Sequence, residues 1–277
     1  MKVGMLTAPF AKENLETVLD FAEDSGISCL EITAHPGCAH FNAAKLTPAK
    51  AAKITESLAM RGLEITSLAY YTVDITNPKL TKKVQTHTIK VIDAAAMLGV
   101  DTVCTLAGFP AEGMNKIDTI RKVLPKAFKP ILAHARKKKV NIALENYFET
   151  CLQGLDTFEA MFAAIPDANF GLNYDPSHLF HQECDHLLPL RQFKDRIFHT
   201  HAKDTLVDKA RRAHVGVYGK AWWRYVIPGF GNINWGEYVS HLRANGYDGV
   251  MSIEHEDETQ TREEGFRRGA WFLEQFC

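Results

Sequence analysis

The 277-residue chain reads as an α/β protein, a single-domain (β/α)8 TIM barrel over residues 1–277. Two observations predict this. Eight short apolar runs alternate with longer amphipathic ones, and that alternation, over about 250 residues, matches a parallel sheet closed into a barrel. The first run leads into "MLTAPF", which lacks the glycine-rich phosphate turn usual in the rival fold, an open doubly wound sheet.

The strand candidates, in order, are "KVGMLT" (2–7), "ISCLEIT" (27–33), "LEITSLA" (63–69), "DTVCTLA" (101–107), "VNIALE" (140–145), "NFGLNYD" (169–175), "RIFHTH" (196–201) and "GVMSIE" (249–254). Helices lie between them, with start and stop signals. Asn14 precedes "LETVLDFAEDSG", which Gly26 ends. Thr47-Pro48 and Asn77-Pro78 each place a capping side chain before a proline suited to a first helical turn. "LGVD" and "GYDG" read as helix-to-strand turns, and the basic run Arg136–Lys139 as a helix end whose cations suit the dipole. The longest irregular stretch, from Ala202 to about Ile233, holds Trp222 and Trp223. A loop of that length is usually functional, and we expect a lid over the barrel mouth.

Composition narrows the function. The formal net charge is −1, with 46% hydrophobic and 23% charged residues. No basic stripe stands out, so nucleic acid is a poor partner. Six scattered cysteines form no CxxC pair, as expected for reduced thiols. The start "MKVGMLTAPF" shows no signal pattern, and no apolar run suits a bilayer. A cytoplasmic protein with no membrane partner is the expectation.

Strand parity picks out the candidate site. Side chains alternate along a strand. Glu145 shares its parity with Asn141 and Ala143, against Val140, Ile142 and Leu144. Asp175 goes with Gly171 and Asn173, His201 with His199, and Glu254 with Ser252. The bulky residues should pack on the helices. Glu145, Asp175, His201 and Glu254 should then point inward at the C-terminal strand ends, where barrel enzymes keep their sites. Three carboxylates and an imidazole in one mouth call for a cation. One divalent metal ion answers the charge, Mn2+ foremost, with Co2+, Mg2+ or Zn2+ as alternatives. Glu256 and Asp257, beyond the strand, read as solvated loop charges, and His255, of outward parity, as structural. Glu31 ends strand two on the inward parity and is placed near the substrate. Lys203 is a candidate for a substrate oxygen or carboxylate, Arg224 for the lid, and the deeper His199 for bracing another ligand.

"LENY" after strand five, "DPSH" after strand six, "HTHAKD" at strand seven, "PGFGNINW" and "SIEHED" at strand eight together resemble the sugar isomerase/epimerase family. These are the xylose-isomerase-like barrels, which include ketose 3-epimerases and inosose dehydratases. The resemblance covers nearly the whole chain and is strongest from residue 140 onward. It implies Glu145, Asp175, His201 and Glu254 as metal ligands and His178 as a contact to a substrate oxygen. It also implies Glu145 and Glu254 as an acid/base pair acting on a keto-sugar or sugar derivative through an enediolate. Homo-oligomers are common in such barrels. A lyase or dehydratase of a keto-sugar, keto-glycoside or keto-inositol would share the first step. A nuclease of the AP endonuclease IV type would need histidines after strands three and four, where "SLAYY" and "CTLAGF" stand.

Overall fold

A computed structural model describes residues 1–277. Eight parallel strands close into a barrel: β1 (Lys2–Leu6), β2 (Cys29–Thr33), β3 (Glu64–Ala69), β4 (Thr102–Leu106), β5 (Asn141–Glu145), β6 (Phe170–Tyr174), β7 (Ile197–Ala202) and β10 (Val250–Ile253). Strand β10 closes the ring between β7 and β1. Each strand lies within the run that the sequence marks for it, except β7, which extends one residue further, to Ala202.

The two parities separate as expected. Leu30, Ile32, Ile142, Leu144, Phe170, Leu172, Met251 and Ile253 join the main core against the helices. Leu6, Ala69, Cys104 and Ala143 form a small apolar plug in the barrel. Gly171 is required where β6 meets β7, because a Cβ there would stand 2.1 Å from the Arg196 carbonyl oxygen. The register between the strands shifts at Leu172/Asn173.

Helix ends follow the local chemistry. The Asn14 side chain accepts from the Thr17 N–H and opens α1 (Leu15–Asp24), and Thr47 does the same for α2 (Pro48–Met60). Helix α3 (Thr81–Leu98) corrects the Asn77-Pro78 reading. Asn77 accepts from the Lys79 N–H in a turn, and the helix starts only at Thr81. Helices α4 (Lys116–Lys122) and α5 (Leu124–Lys138) follow, the latter ending in its basic run with Lys139 left-handed. Helix α6 (Leu155–Ala164) leads to β6, and the short α7 (Pro176–Phe180) and α8 (Leu188–Gln192) lie between β6 and β7.

The stretch after Ala202 is more regular than expected. It folds as an antiparallel hairpin of β8 (Asp204–Val207) and β9 (Trp223–Val226), with α9 (Lys209–Val215) between them. Asp204 anchors the "PGFGNINW" segment. Its carboxylate accepts the N–H groups of Gly229, Gly231, Ile233 and Thr205 and the Trp235 indole N–H at 2.9 Å. Helices α10 (Trp235–Ala244) and α11 (Arg262–Glu274) complete the chain. No helix is long and apolar enough to cross a membrane.

Candidate active site

The C-terminal ends of β5, β6, β7 and β10 bring Glu145, Asp175, His201 and Glu254 together. Local folding sets each one. The amide of Asn146 donates to the Asp175 carbonyl and accepts from the Asp175 N–H, both at 2.8 Å, which ties the β5 and β6 ends together. Asp175 then caps α7, its Oδ1 accepting from the Ser177 N–H at 2.8 Å. That leaves Oδ2 buried with no hydrogen-bond partner.

His201 has the complementary arrangement. Its Nε2 lies 3.0 Å from Glu31 Oε2, and Nδ1 is buried without a hydrogen-bond partner. Nδ1 stands 3.2 Å from Glu254 Oε2, 3.7 Å from Glu145 Oε1 and 4.0 Å from Asp175 Oδ2. Donor atoms of Glu145, Asp175, Glu254 and His178 lie within 4.8 Å of one another. Two orphaned buried atoms and two further carboxylates thus converge on one point. An oxygen-rich set with an imidazole fits a hard or borderline divalent ion.

The charge balance agrees. Burial opposes ionisation of Glu145 and Asp175. The His178 and His201 contacts and the Lys203 charge outweigh it for Glu145, and chiefly the Lys203 charge does so for Asp175, so both carboxyls lie below their ordinary range. Burial likewise opposes charge on His201, but Glu31 and Glu254 raise its pKa well above the ordinary value. The Lys203 ammonium is buried too, and Glu254 and Asp175 outweigh the desolvation and raise it. Its Nζ stands 2.5 Å from Glu254 Oε2, 3.2 Å from Asp175 Oδ2 and 3.4 Å from Glu256 Oε2. Four carboxylates therefore face one ammonium and one imidazole.

A cavity of about 510 Å³ opens above this cluster, lined by His35, Tyr71, Tyr147, Trp223 and Tyr225 among others. His178, on α7, reaches it with both ring nitrogens engaged. Nε2 lies 3.0 Å from Glu145 Oε1 and Nδ1 lies 2.6 Å from the Tyr225 hydroxyl.

The other sequence candidates fall elsewhere. Glu31 does not line the cavity. It is fully buried behind His201, where Ser252 Oγ donates to it at 2.8 Å and the Tyr71 hydroxyl also donates. Beneath it His199 braces Asn173, Nδ1 to Oδ1 at 2.9 Å. Arg224 does not reach the inner cavity either, because its guanidinium pairs with Asp257 at 2.9 Å. Asp257 is thereby corrected from a solvated charge to a buried anchor that also accepts from the Thr259 N–H and hydroxyl. Glu256 is half exposed, yet lines the cavity and reaches Lys203. Trp222 is buried away from the cavity with its indole N–H on the Val217 carbonyl, whereas Trp223 stacks on His181 at 3.8 Å and lines the cavity. Tyr71, Tyr225 and Asn146 escaped sequence reading. Asn173 carried a signal, since it shares the inward parity of Asp175.

The family model described as a xylose isomerase-like TIM barrel matches residues 13–276. The uncharacterized protein YfiH of Bacillus subtilis is 28% identical over 310 aligned positions, covering 99% of this chain and 99% of its own. An inosose dehydratase of Geobacillus thermodenitrificans is 26% identical over 135 residues, 45% of this chain and 43% of its own. Among solved structures, the IolI protein with a bound zinc atom aligns with a TM-score of 0.76 at 18% identity, covering 100% of this chain and 99% of IolI. The 3-keto-D-glucoside 4-epimerase YcjR from E. coli aligns with a TM-score of 0.75 at 16% identity over 100% of both chains. At these identities the structural likeness speaks for the fold.

Proposed function

The chain belongs to the xylose isomerase-like TIM barrel family, and on that premise we propose that it is a divalent-metal-dependent isomerase or epimerase of a keto-sugar or sugar derivative. The observation that carries this reading is the pair of buried atoms that make no hydrogen bond, Asp175 Oδ2 and His201 Nδ1, aimed at the same point as Glu145 and Glu254. Those four residues would hold the ion. When bound, a divalent ion supplies Lewis-acid polarisation of a substrate carbonyl. IolI is a relative in fold that holds zinc. Mn2+ is our first choice for this chain because three of the four donors are carboxylates.

The chain's own residues supply the proton chemistry. One of Glu145 and Glu254 takes the proton from the carbon beside the carbonyl, and the other returns one to the opposite face. His178 holds the Glu145 carboxylate at Oε1. Lys203 holds the Glu254 carboxylate at Oε2. The aromatic walls limit water around the reacting carbon.

A second reading, elimination from the same keto-sugar, is favoured by one observation. Glu256 lines the same cavity; the Lys203 charge pulls its pKa down, but burial and the Glu254 charge outweigh that and leave it raised. Glu256 is a third carboxyl group at the cavity wall, beside Glu145 and Glu254, from which a proton can pass to a leaving oxygen. The name of the Geobacillus relative also points to a dehydratase.

The test is hydrogen exchange. The metal-loaded protein is incubated in D2O with a panel of keto-sugars and keto-inositols, and products are read by mass spectrometry. Deuterium gained without loss of mass supports epimerisation or isomerisation, and loss of water supports elimination. Full exchange retained in both Glu145→Gln and Glu254→Gln overturns the proton-transfer assignment.

A further inference from the structure

A second cavity adjoins the first. It is an open groove of about 740 Å³, and it shares Trp223, Tyr225 and Glu256 with the inner cavity. Its far side is formed by the segment after β10, with Asp257 and Gln260, and by Arg224 and Arg262. The groove is larger than the inner cavity, and the mechanism uses none of its far wall. A substituent on a sugar ring bound above Glu145 and Glu254 would pass Trp223 and Tyr225 and lie there.

The chemistry of the groove selects the substituent. Every cation along it is already matched. Arg224 pairs with Asp257. Arg262 pairs with Glu13 at 2.6 Å and Glu263 at 2.5 Å, and its guanidinium lies 3.9 Å over the Phe10 ring. Lys203, below, faces four carboxylates. A phosphate or carboxylate would find no free cation and would meet Glu256 and Glu258. A bare hydrocarbon would leave the polar groups of the wall, among them Gln260, Thr259 and Glu258, without partners. The wall does offer hydrogen-bonding groups on Gln260, Thr259 and Glu258. It also offers two aromatic rings, on which the C–H face of a sugar packs well. One face of Trp223 is already held by His181, stacked at an interplanar angle of 5°, so the indole is fixed in place before a ligand arrives.

We infer that this groove is a second sugar subsite, and that the substrate is an uncharged glycoside whose keto ring sits over the carboxylate cluster and whose second ring occupies the groove. The inference rests on the keto-sugar reading above for the identity of the inner ring, but it is tested independently of the reaction.

The test is binding to the metal-loaded protein by isothermal titration calorimetry. The probes are unreactive: glucose, glucose 1-phosphate, and the glucosyl disaccharides cellobiose, maltose and trehalose. At least one disaccharide should bind tenfold or more tightly than glucose. Gln260→Trp, which fills the groove, should bring that ratio to within threefold of one. Met60→Trp, which adds the same indole at an exposed position of α2 outside both cavities, should keep it. If no disaccharide binds more than threefold better than glucose, or if glucose 1-phosphate binds best, the inference falls. A disaccharide preference that survives Gln260→Trp also overturns it. Deuterium exchange into 3-ketoglucose, measured alongside, separates the two readings. Exchange without a disaccharide preference leaves the reaction standing and removes the subsite. A groove-dependent preference without exchange on any keto-sugar does the reverse.

Discussion

At the scale of single residues, the site is a set of side chains whose partners have been assigned so that Asp175 Oδ2 and His201 Nδ1 make no hydrogen bond. Glu31 occupies the Nε2 side of His201 and so directs Nδ1 toward the three carboxylates. Such outer carboxylates typically change metal affinity by about 10–100-fold when altered. Glu31→Gln should therefore weaken Mn2+ binding by about that factor, with Glu31→Asp restoring part of it, as read by metal titration. His201→Ala should remove the bound ion altogether, read by elemental analysis of the purified protein. Loss of both carboxylic bases, tested one at a time as Glu145→Gln and Glu254→Gln, should cost about 10²–10⁴ in exchange rate.

Two other histidines set a pH limit. His40 is buried, with Nδ1 facing the Phe10 carbonyl at 3.1 Å and Nε2 facing the Thr7 hydroxyl at 3.0 Å. That pairing suits the neutral ring. Burial lowers its pKa, and burial together with the His178 charge lowers that of His181 to about 3. Both lie below their ordinary value of 6.5. The unfolded chain therefore takes up these protons first as pH falls. Their stabilisation is complete above about pH 6.5 and is lost progressively toward pH 3. Thermal midpoints should drop across that window, and His40→Gln should flatten the drop. An unchanged slope would mean that the ring is not held neutral in the fold.

At the scale of elements, the hairpin β8–β9 and the segment after it are positioned by one carboxylate. Asp204 accepts five N–H groups from residues 205 to 235. Removing it leaves buried donors unpaired at about 1–3 kcal/mol each. Asp204→Ala should destabilise the protein by at least about 3 kcal/mol, and hydrogen exchange should show the loss concentrated in residues 227–235. Gly231→Ala should act in the same direction, because its Cβ would stand 2.2 Å from Asp204 Oδ1. No local pattern signals this role. "HAKD" reads as a strand end with a trailing charge, and only the chain's return from residue 229 onward delivers the donors to it. The hairpin itself was also hidden, because β8 and β9 are short and are separated by a helix of their own.

At the scale of the whole molecule, the barrel brings four strand ends to one mouth, and a bound ion would link them. Ligand binding to the folded state stabilises it by about 2.7 kcal/mol at 100 times Kd. A chain of this size shifts its midpoint by roughly 2–4 °C per kcal/mol. Saturating Mn2+ should therefore raise the thermal midpoint by about 5–10 °C, and EDTA should reverse it. The same absence of a shift in the unaltered protein as in His201→Ala would mean that Lys203 and His201 balance the cluster without an ion.

What the sequence determined by itself was the pattern that repeats. Strand periodicity is local, so the eight runs, their inward and outward parities, and the convergence of Glu145, Asp175, His201 and Glu254 could be read from residue spacing. The caps at Asn14 and Thr47 were legible for the same reason, since each side chain bonds a backbone N–H three residues away. Tertiary structure alone decided everything that depends on depth and on distant partners. Glu31 and Glu254 share the inward parity, but Glu31 stands in the middle of β2 and lies behind an imidazole from a strand 170 residues later. Arg224 read as a lid residue and Asp257 as a solvated charge, and only the fold placed them 2.9 Å apart. Parity tells which way a side chain points, while depth in the barrel and the pairing of charges are set by where the closed sheet puts residues that no local spacing connects.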